Sequence, residues 1–203
     1  MENSTQKLFL ITYADENYVK QQHEISNKAQ KTGQFDEIIK YGKGYVQKTK
    51  WYAKHRELFE ERGAGHDGRP KPGFFCWKPF VILDAMDRFM SENDVLLYID
   101  CGDVFSETET MREFLIQRMK NEDILLTQGA FPNKHYTRRD AFVFMNCDEE
   151  KYHNATQVEA GIIVLRKTVR ARMIINNWLE FSQDRRIISN DENVSGLPNL
   201  DGF

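Results

Sequence analysis

Apolar runs alternate with polar, helix-forming segments along the chain, and this alternation predicts an α/β fold. Short apolar runs with the length of strands occupy residues 7–13, 35–41, 95–99, 122–128 and 157–166. The run at 95–99 has no alternation of apolar and polar positions, which is typical of a strand covered on both faces. We therefore expect a mostly parallel central sheet with helices on both faces.

The segments between these runs have the composition or the three- and four-residue spacing of helices. We expect helices over residues 17–31, 45–62, 108–120 and 168–183, and another that starts at Pro79. The side chains expected to face the core are Phe80, Leu83, Met86 and Met90, then Met111, Phe114, Leu115 and Met119, and finally Val169, Met173, Ile174, Trp178 and Leu179.

The size and composition of the chain fit one globular domain. The chain has 203 residues, of which 40% are hydrophobic and 29% charged, so residues 1–203 are long enough to build a single core. The net charge of −3 gives no electrostatic case for nucleic acid as a partner. Residues 185–203 have loop composition, and we expect that a further C-terminal segment is missing.

The sequence also indicates a compartment. No apolar run approaches the roughly 20 residues of a membrane span, and the N-terminus lacks the basic and apolar regions of a secretory signal. The three cysteines are widely spaced and odd in number, which argues against a disulfide framework. We therefore expect a cytoplasmic protein without a membrane span.

Two aspartates follow directly after the buried run at 95–99. Asp100 and Asp103 would stand at the carboxyl end of a strand, where open parallel sheets bind their ligands. Carboxylates there suit Mg²⁺ or Mn²⁺, which one or two carboxylates and substrate phosphates commonly hold. The alternative is a plain turn, in which one aspartate caps the next helix. Ser106 and Glu109 have capping-box spacing before that helix, which favours the metal site.

The turn after the first strand is polar and carries two tyrosines. In doubly wound sheets this turn commonly receives a nucleotide base or phosphate. The phosphate-binding glycine pattern is absent, which disfavours a dinucleotide site, whereas the tyrosines and an aspartate suit stacking on a base and hydrogen bonding to it. An ordinary surface turn is the alternative. The residues of this candidate base site are Thr12, Tyr13, Ala14, Asp15 and Tyr18.

Another candidate donor site is the start of the helix at Pro79. A helix start offers free N–H donors and a partial positive charge, which suit phosphate, and Lys78 would add a full charge there. Trp77 is a candidate for packing under a sugar, although a place in the core is the better interpretation.

Two arginines and an aspartate adjoin an apolar segment at residues 137–145. Arg138 or Arg139 is a candidate for clamping a diphosphate, because guanidinium groups match phosphate oxygens. Asp140 is a candidate for accepting hydrogen bonds from sugar hydroxyls. A surface salt bridge is the alternative for all three.

The last predicted strand places small residues beside an acidic one. Ala160 and Gly161 would let a ligand approach the backbone closely. Glu159 precedes them, and we expect its carboxylate to point into the same cleft.

Three stretches together resemble small glycosyltransferases of the GT-A fold, which transfer a sugar from a nucleotide-sugar donor, often a UDP-sugar. They are Gly-Phe-Phe-Cys-Trp-Lys-Pro at 73–79, Asp-Val-Leu-Leu-Tyr-Ile-Asp-Cys-Gly-Asp at 94–103 and Gln-Val-Glu-Ala-Gly-Ile-Ile-Val-Leu-Arg-Lys-Thr at 157–168. The resemblance implies a GT-A-like, Rossmann-like domain that takes a UDP-sugar and a carbohydrate acceptor. Such enzymes occur in viral, bacterial and polysaccharide-building systems, so a viral chain would work in the host cytoplasm.

The resemblance also implies roles for single residues. Asp100 and Asp103 would replace the family's Asp-x-Asp and bind Mn²⁺ or Mg²⁺ and the donor, which Cys101 and Gly102 would also contact. The turn after the first strand would hold a uracil-type base. The chain departs from the family at Gly102, where a strict Asp-x-Asp has its second aspartate. It departs again at its last histidine, His153, which lies too early to be the additional metal ligand of many relatives.

The implied reaction relies on positioning and charge. A metal ion would neutralise the departing diphosphate, and an inverting reaction would also need a base for the acceptor's proton. Glu159 and Asp140 are the candidate bases, and a retaining route stays open. The other interpretations are a nucleotidyltransferase, which normally has a Gly-rich, basic loop after the first strand, and a non-enzymatic sugar-binding module.

Overall fold

The structure is a computed structural model that describes residues 6–63, 71–103 and 110–203. Ser106 and Glu109, the expected helix cap, lie outside these residues. The described strands are β1 Leu8–Ala14, β2 Glu37–Gly42, β3 Arg62–Gly63, β4 Lys71–Pro72, β5 Val95–Ile99, β6 Ile124–Pro132 and β7 Thr156–Arg166. The described α-helices are α1 Val19–Thr32, α2 Lys43–Val46, α3 Lys50–Glu60, α4 Trp77–Arg88, α5 Met111–Arg118, α6 Arg139–Phe144, α7 Glu150–His153, α8 Val169–Phe181 and α9 Arg185–Ile188, with 3₁₀ turns at Gly73–Phe75 and Asn133–His135.

Five of the strands form one mixed sheet in the order β2-β1-β5-β7-β6. β1 runs parallel to β2 and β5, whereas β7 runs antiparallel to both β5 and β6. Four of the five strands therefore run in the same direction, as expected, and β7 alone is reversed, so the sheet is mixed rather than purely parallel. An apolar run shows that a strand is buried but not in which direction it runs, so the sequence pattern did not reveal the reversal.

The two central strands hold the core together. Every residue of β1 and β5 is buried. On one face of the sheet the core includes Ile82 of α4 and Ile175 of α8. On the other face it includes Ile25 of α1 and Leu115 of α5. Helices cover both faces, and the α/β expectation is confirmed in that respect.

The buried side of α8 differs from the expected one. Ala171 and Ile175 are its buried residues, one turn apart, and Trp178 packs against the same core. Because α8 has apolar residues around most of its circumference, spacing alone allowed two choices of inner face. The side chains expected in the core but exposed in the structure are Val169, Met173 and Ile174 of α8 and Phe114 of α5.

Two helices begin at places that the sequence pattern did not indicate. The segment at 45–62 forms two helices, because Thr49 accepts a hydrogen bond from the Tyr52 N–H (3.1 Å) and so caps the start of α3. Helix α4 begins at Trp77, two residues before Pro79. Pro79 thus lies in the first turn of α4, where its missing N–H removes no helical hydrogen bond.

The C-terminal residues, expected to be a loop, contain the short helix α9. The residues after α9 have no further helix or strand. No helix within residues 6–63, 71–103 and 110–203 is both long and apolar enough to span a membrane.

Candidate functional site

Three segments of chain meet at one edge of the sheet. β1 and β5 are parallel neighbours, so their carboxyl ends, at Ala14 and Ile99, lie on the same side. Because β7 is antiparallel to β5, its N-terminal half reaches this side, and the Asp100 N–H donates to the Gly161 carbonyl oxygen (2.8 Å). A parallel β7 would instead have placed Glu159 at the opposite edge. The reversal of β7 thus brings the predicted Glu159 and the predicted Asp100 together.

A buried ion pair fixes the middle of this edge. Lys78 is 5% exposed, and its ammonium group donates to Asp100 Oδ2 (2.7 Å) and to the Ala160 carbonyl oxygen (3.0 Å). The hydroxyl of the fully buried Tyr98 donates to the other oxygen, Asp100 Oδ1 (2.5 Å). Burial, followed by the charge of Asp100, raises the pKa of Tyr98, so the hydroxyl keeps its proton. Both oxygens of Asp100 therefore accept a hydrogen bond from the protein.

Tyr98 was not among the residues that the sequence suggested. Residues two apart on a strand project to the same face, so Tyr98 and Asp100 could have been paired from their spacing. The Ala160 carbonyl gave no signal of this kind, because its role depends on the shape of β7.

A three-residue slip between β6 and β7 shapes the floor of the site. Leu126 pairs with Ile163, whereas the next residue, Thr127, pairs with Glu159, so Ala160 and its two successors have no partner on β6. Bulges of this kind re-aim side chains and are frequent next to active sites. The slip places Gly161 beneath the aspartates and leaves the Ala160 carbonyl oxygen within reach of Lys78.

Gly161 provides room for both aspartates. A Cβ atom at Gly161 would lie 2.9 Å from Asp103 Oδ2 and 3.8 Å from Asp100 Oδ2. The two carboxylates therefore approach the same point above a residue with no side chain. On β6, a Cβ atom at Gly129 would lie 3.4 Å from Glu159 Oε1, so the exposed Glu159 also rests on a glycine.

The charge of this cluster is unbalanced. Partial burial of its carboxyl group, the negative charge of Asp100 and that of Glu159 together raise the pKa of Asp103, while Lys78 opposes them. Three carboxylates thus influence one another, and a single buried ammonium group partly compensates them. Such a cluster favours a cation.

The donor set can be compared with that of a divalent metal site. In the described part of the chain no three His, Cys, Asp or Glu side chains are grouped so that they could hold a metal ion. Mg²⁺ commonly takes only one or two protein carboxylates, and substrate phosphates and water complete its shell. Asp100 and Asp103 fit this smaller number of protein ligands. The carboxylate of Asp103 occupies the space that a side chain at Gly161 would fill.

The turn after β5 is tied to the end of β1. The buried thiol of Cys101 lies 2.8 Å from the Tyr13 carbonyl oxygen and 3.0 Å from Thr12 Oγ1. Burial raises the pKa of Cys101 and raises that of Cys76 to about 12, so neither thiol is an activated nucleophile. All three cysteines are free, as expected. Gly102 is exposed, and a Cβ atom there would have no atom within 4 Å.

The candidate base site contains a stacked aromatic pair. The rings of Tyr13 and Trp77 have centroids 3.7 Å apart and an interplanar angle of 24°. Both residues are at least nine-tenths buried, and within the described residues neither Tyr13 Oη nor Trp77 Nε1 has a hydrogen-bond partner. Burial and the charges of Asp15 and Glu16 raise the pKa of Tyr13, so the phenol keeps its proton. The Tyr13 hydroxyl and the Trp77 indole N–H are thus two buried donors that have no acceptor among the described residues.

The other residues of the candidate base site have fixed local roles. Thr12 and Ala14 are buried. Asp15 is 5% exposed and accepts a hydrogen bond from the Asn17 N–H (3.0 Å), which forms a tight turn. Tyr18 is half-buried, and its N–H donates to the Asp15 carbonyl oxygen (3.1 Å). These two hydrogen bonds order the backbone of the turn, in which Asn17 is exposed.

The 3₁₀ turn before α4 has an unusual backbone. Gly73, Phe74 and Phe75 have φ values of 56°, 48° and 64°. A bulky residue in the left-handed region is a backbone outlier with a cost of about 1–3 kcal/mol, and such residues cluster at ligand-binding sites. The Gly-Phe-Phe stretch contributed to the resemblance, but nothing in its spacing indicated this conformation.

The structure gives Arg138 and Asp140 other partners than the predicted ones. Arg138 donates to the Ser189 carbonyl oxygen and to the Asp191 carbonyl oxygen (2.8 Å). Asp140 is fully buried and accepts hydrogen bonds from the Val194 N–H (2.7 Å), the Ser195 N–H (3.2 Å) and the Ser195 hydroxyl. The two residues thus bind the C-terminal segment to α6. A fully buried carboxylate has no access to an acceptor, so we leave Asp140 out of the proposed site.

Arg139 is also engaged within the protein. Its Nη2 donates to Asp148 Oδ2 (2.9 Å), and its backbone N–H donates to Asn199 Oδ1 (2.8 Å). Neither arginine has a described contact with Asp100 or Asp103. Their role in binding a diphosphate stays a prediction without geometric support.

Comparisons with known proteins add little to this geometry. No protein-family model and no curated protein sequence matches the chain. Among solved structures, the chain is similar to a glycosyltransferase involved in the glycosylation of the major capsid of PBCV-1, with a TM-score of 0.41 and 12% sequence identity. The match covers 92% of this chain and 68% of the other. A likeness this low carries no argument about activity, so function rests on the site itself.

We predict that Gly161→Ala disturbs the acidic cluster but not the fold. The new Cβ would stand 2.9 Å from Asp103 Oδ2, the far end of a flexible side chain, so the carboxylate can move away cheaply. We expect a stability change within about 1 kcal/mol in urea unfolding, together with several-fold weaker Mn²⁺-dependent binding of UDP by calorimetry. Gly44→Ala on α2 is the matched control, because a Cβ atom there would meet no atom within 4 Å. Unchanged binding in the Gly161 variant would show that binding does not depend on the position of Asp103 above Gly161.

We predict that Asp140→Ala destabilises the protein by about 3–5 kcal/mol at neutral pH. Arg138 Nη2 lies 3.5 Å from Asp140 Oδ2, and the variant leaves this buried guanidinium without its carboxylate. Although burial alone would raise the pKa of Asp140, the Ser195 hydroxyl and the Val194 and Ser195 N–H groups hold it below its usual 3.8. The contribution of ionised Asp140 to the free energy of unfolding is therefore present above pH 3.8. It is lost as the pH falls through the lower pKa that Asp140 has in the folded protein.

Urea unfolding of wild type and variant between pH 3 and pH 7 measures this difference, which should shrink in acid. Glu192→Ala, an exposed carboxylate of the same segment, should change stability by no more than about 0.5 kcal/mol. If Asp140→Ala kept full stability but lost sugar transfer, Asp140 would be a catalytic residue after all.

Proposed function

We propose that the protein is a glycosyltransferase that moves a sugar from a nucleotide-sugar donor, most simply a UDP-sugar, to a hydroxyl of a glycan or another acceptor. The observation that carries the proposal is the grouping of Asp100, Asp103 and Glu159 over two glycines at the end of β5, beside the stacked Tyr13–Trp77 pair. The three carboxylates suit a cation and a diphosphate, and the aromatic pair suits a nucleotide base. A nucleotide-sugar contains all the groups that these parts would bind.

The donor nucleotide is expected at the carboxyl ends of β1 and β5. Tyr13 Oη and Trp77 Nε1 are buried donors without a described acceptor, and the carbonyl oxygens of a pyrimidine base would satisfy them. Trp77 and Tyr13 stack on each other, which holds both polar atoms in place. A base bound there would supply the acceptors that these two buried atoms lack among the described residues.

The diphosphate is expected next to the aspartates. Asp103 and Asp100 would hold Mn²⁺ or Mg²⁺, which when bound neutralises the charge of the departing diphosphate. Lys78 holds the carboxylate of Asp100 in a fixed position through its 2.7 Å contact, and Tyr98 holds the second oxygen. This preorganised pair does not have to rearrange when the donor binds.

Glu159 is the proposed general base of an inverting transfer. Its carboxylate is exposed, has Gly129 beneath it and interacts electrostatically with Asp103. The acceptor oxygen forms a bond to the anomeric carbon as the bond to the diphosphate breaks, and Glu159 takes the proton of that hydroxyl. The nucleoside diphosphate leaves with the electron pair of the broken bond.

Two other functions would use parts of this site. A nucleotidyltransferase would share the metal and the nucleotide, but it would join a sugar phosphate to a nucleoside triphosphate. A sugar-binding module would need neither. Titration of UDP with and without Mn²⁺, followed by assays for sugar transfer and for pyrophosphate release, separates the three.

We predict that Asp103→Asn weakens the Mn²⁺-dependent binding of UDP by at least about 10–100-fold, the loss usual when a residue that only supports a metal ligand is changed. Binding of UDP without metal should change much less, because the base contacts remain. Calorimetric titrations with and without Mn²⁺ measure both values. Glu24→Gln on α1 removes the same charge from an exposed side chain and serves as the control. Equal binding by Asp103→Asn and wild type would remove Asp103 from the metal site.

We predict that Glu159→Gln lowers the rate of transfer by about 10²–10⁴-fold, the range for loss of a general base, while UDP-sugar binding stays within a factor of a few. The amide keeps the shape of the side chain but takes up no proton. Steady-state kinetics with a saturating donor measure kcat, and calorimetry measures binding. A parallel loss of both would make Glu159 a binding residue, and an unchanged kcat would favour a retaining route.

A further inference from the structure

Phe75 is an exposed aromatic residue at the edge of the candidate site. It is 39% exposed, although large apolar side chains near a core are usually covered. The Lys78 ammonium lies 4.9 Å from the centroid of its ring, and the same ammonium contacts Asp100 Oδ2 at 2.7 Å. Lys78 lies over one face of the ring, so a ligand could cover only the other face or the edge.

The backbone fixes the position of this ring. Phe75 has a φ of 64°, which a phenylalanine rarely adopts. Gly73, two residues earlier, cannot be replaced without conflict, because a Cβ there would lie 2.9 Å from the Phe59 Cα. The Gly73 N–H donates to the Glu61 carbonyl oxygen (2.6 Å), and its carbonyl oxygen accepts from the Cys76 N–H (2.8 Å). Hydrogen bonds on both sides of Gly73 thus fix the backbone of the turn, and the backbone in turn fixes the position of the Phe75 ring.

Phe75 continues a row of aromatic rings. Tyr13 stacks on Trp77, and the Trp77 ring lies 6.3 Å from the Phe75 ring at 59°. The row leads from the proposed base site to the neighbourhood of Lys78 and Asp100. A nucleotide-sugar has the same order, with a flat base at one end, a charged diphosphate and a sugar ring at the other.

We propose that the exposed face of Phe75 stacks on the C–H face of the sugar ring whose anomeric carbon reacts, or of the acceptor sugar beside it. A sugar ring has an apolar C–H face and a rim of hydroxyls, so an aromatic face and nearby carboxylates recognise both parts. Asp103 and Glu159 would accept hydrogen bonds from the rim. This inference rests on the proposed function and adds a residue that determines the affinity for the sugar.

The test compares a nucleotide with its sugar-bearing form in two variants. Phe75→Leu keeps an apolar side chain but removes the flat face, whereas Phe75→Tyr keeps it. The probes are UDP and a panel of UDP-glucose, UDP-galactose and UDP-N-acetylglucosamine, each titrated with Mn²⁺ by calorimetry. If the donor sugar stacks on Phe75, Phe75→Leu should bind UDP as wild type does, bind the preferred UDP-sugar about tenfold more weakly, and hydrolyse it more slowly.

If the acceptor sugar stacks there instead, donor binding and hydrolysis stay unchanged, and the KM for a methyl glycoside acceptor rises about tenfold in Phe75→Leu. Phe75→Tyr should restore wild-type values in either case, which a purely structural role would not require. Phe114→Leu, a 64% exposed phenylalanine on α5, is the control and should change nothing.

Two outcomes overturn the inference in distinguishable ways. In the first, wild type binds UDP with Mn²⁺, and Phe75→Leu has the wild-type difference in affinity between UDP-sugar and UDP and the wild-type KM for the acceptor. Phe75 then does not contact sugar, and the proposed function stands. If wild type binds neither UDP nor any of the UDP-sugars, the proposed function fails in its UDP-sugar form and this inference fails with it.

Discussion

The buried contact between Lys78 and Asp100 is the interaction on which the arrangement of this site depends. It joins the first turn of α4 to the end of β5 and, through the Ala160 carbonyl, to the slipped part of β7. Lys78 is 5% exposed, and its ammonium group needs acceptors within the protein, because transfer of an unpaired charge out of water is costly. The three elements therefore cannot shift independently of one another.

The same contact couples the fold to the chemistry. With Tyr98 and Lys78 as its donors, Asp100 is held in one orientation, and Asp103 stands beside it over Gly161. Among the described residues, no hydrogen-bond donor contacts the carboxylate of Asp103, so this carboxylate is held less tightly than that of Asp100. A fixed charge next to an adaptable one is an arrangement suited to binding an anionic ligand through a cation.

A second cluster of charges serves a different purpose. Arg138 and Asp140 are adjacent in sequence to an apolar segment and look like a site, but their partners are backbone groups of residues 189–195. The C-terminal segment has few apolar residues of its own to bury. Buried hydrogen bonds of Arg138 and Asp140 therefore hold this segment against α6. The charged side chains that suggested a binding site instead anchor the C-terminal segment.

The sequence by itself determined the buried strand at 95–99, the acidic turn after it, the α/β class and the cover of helices on both faces. These features are local, since burial, turn formation and helix spacing are set by neighbours within a few residues. Only the tertiary structure decided that β7 runs antiparallel, that α8 buries Ala171 and Ile175, and that Lys78 pairs with Asp100. Each of these depends on groups far apart in the chain, and no spacing rule records which distant partner satisfies a buried charge or which way a strand enters a sheet.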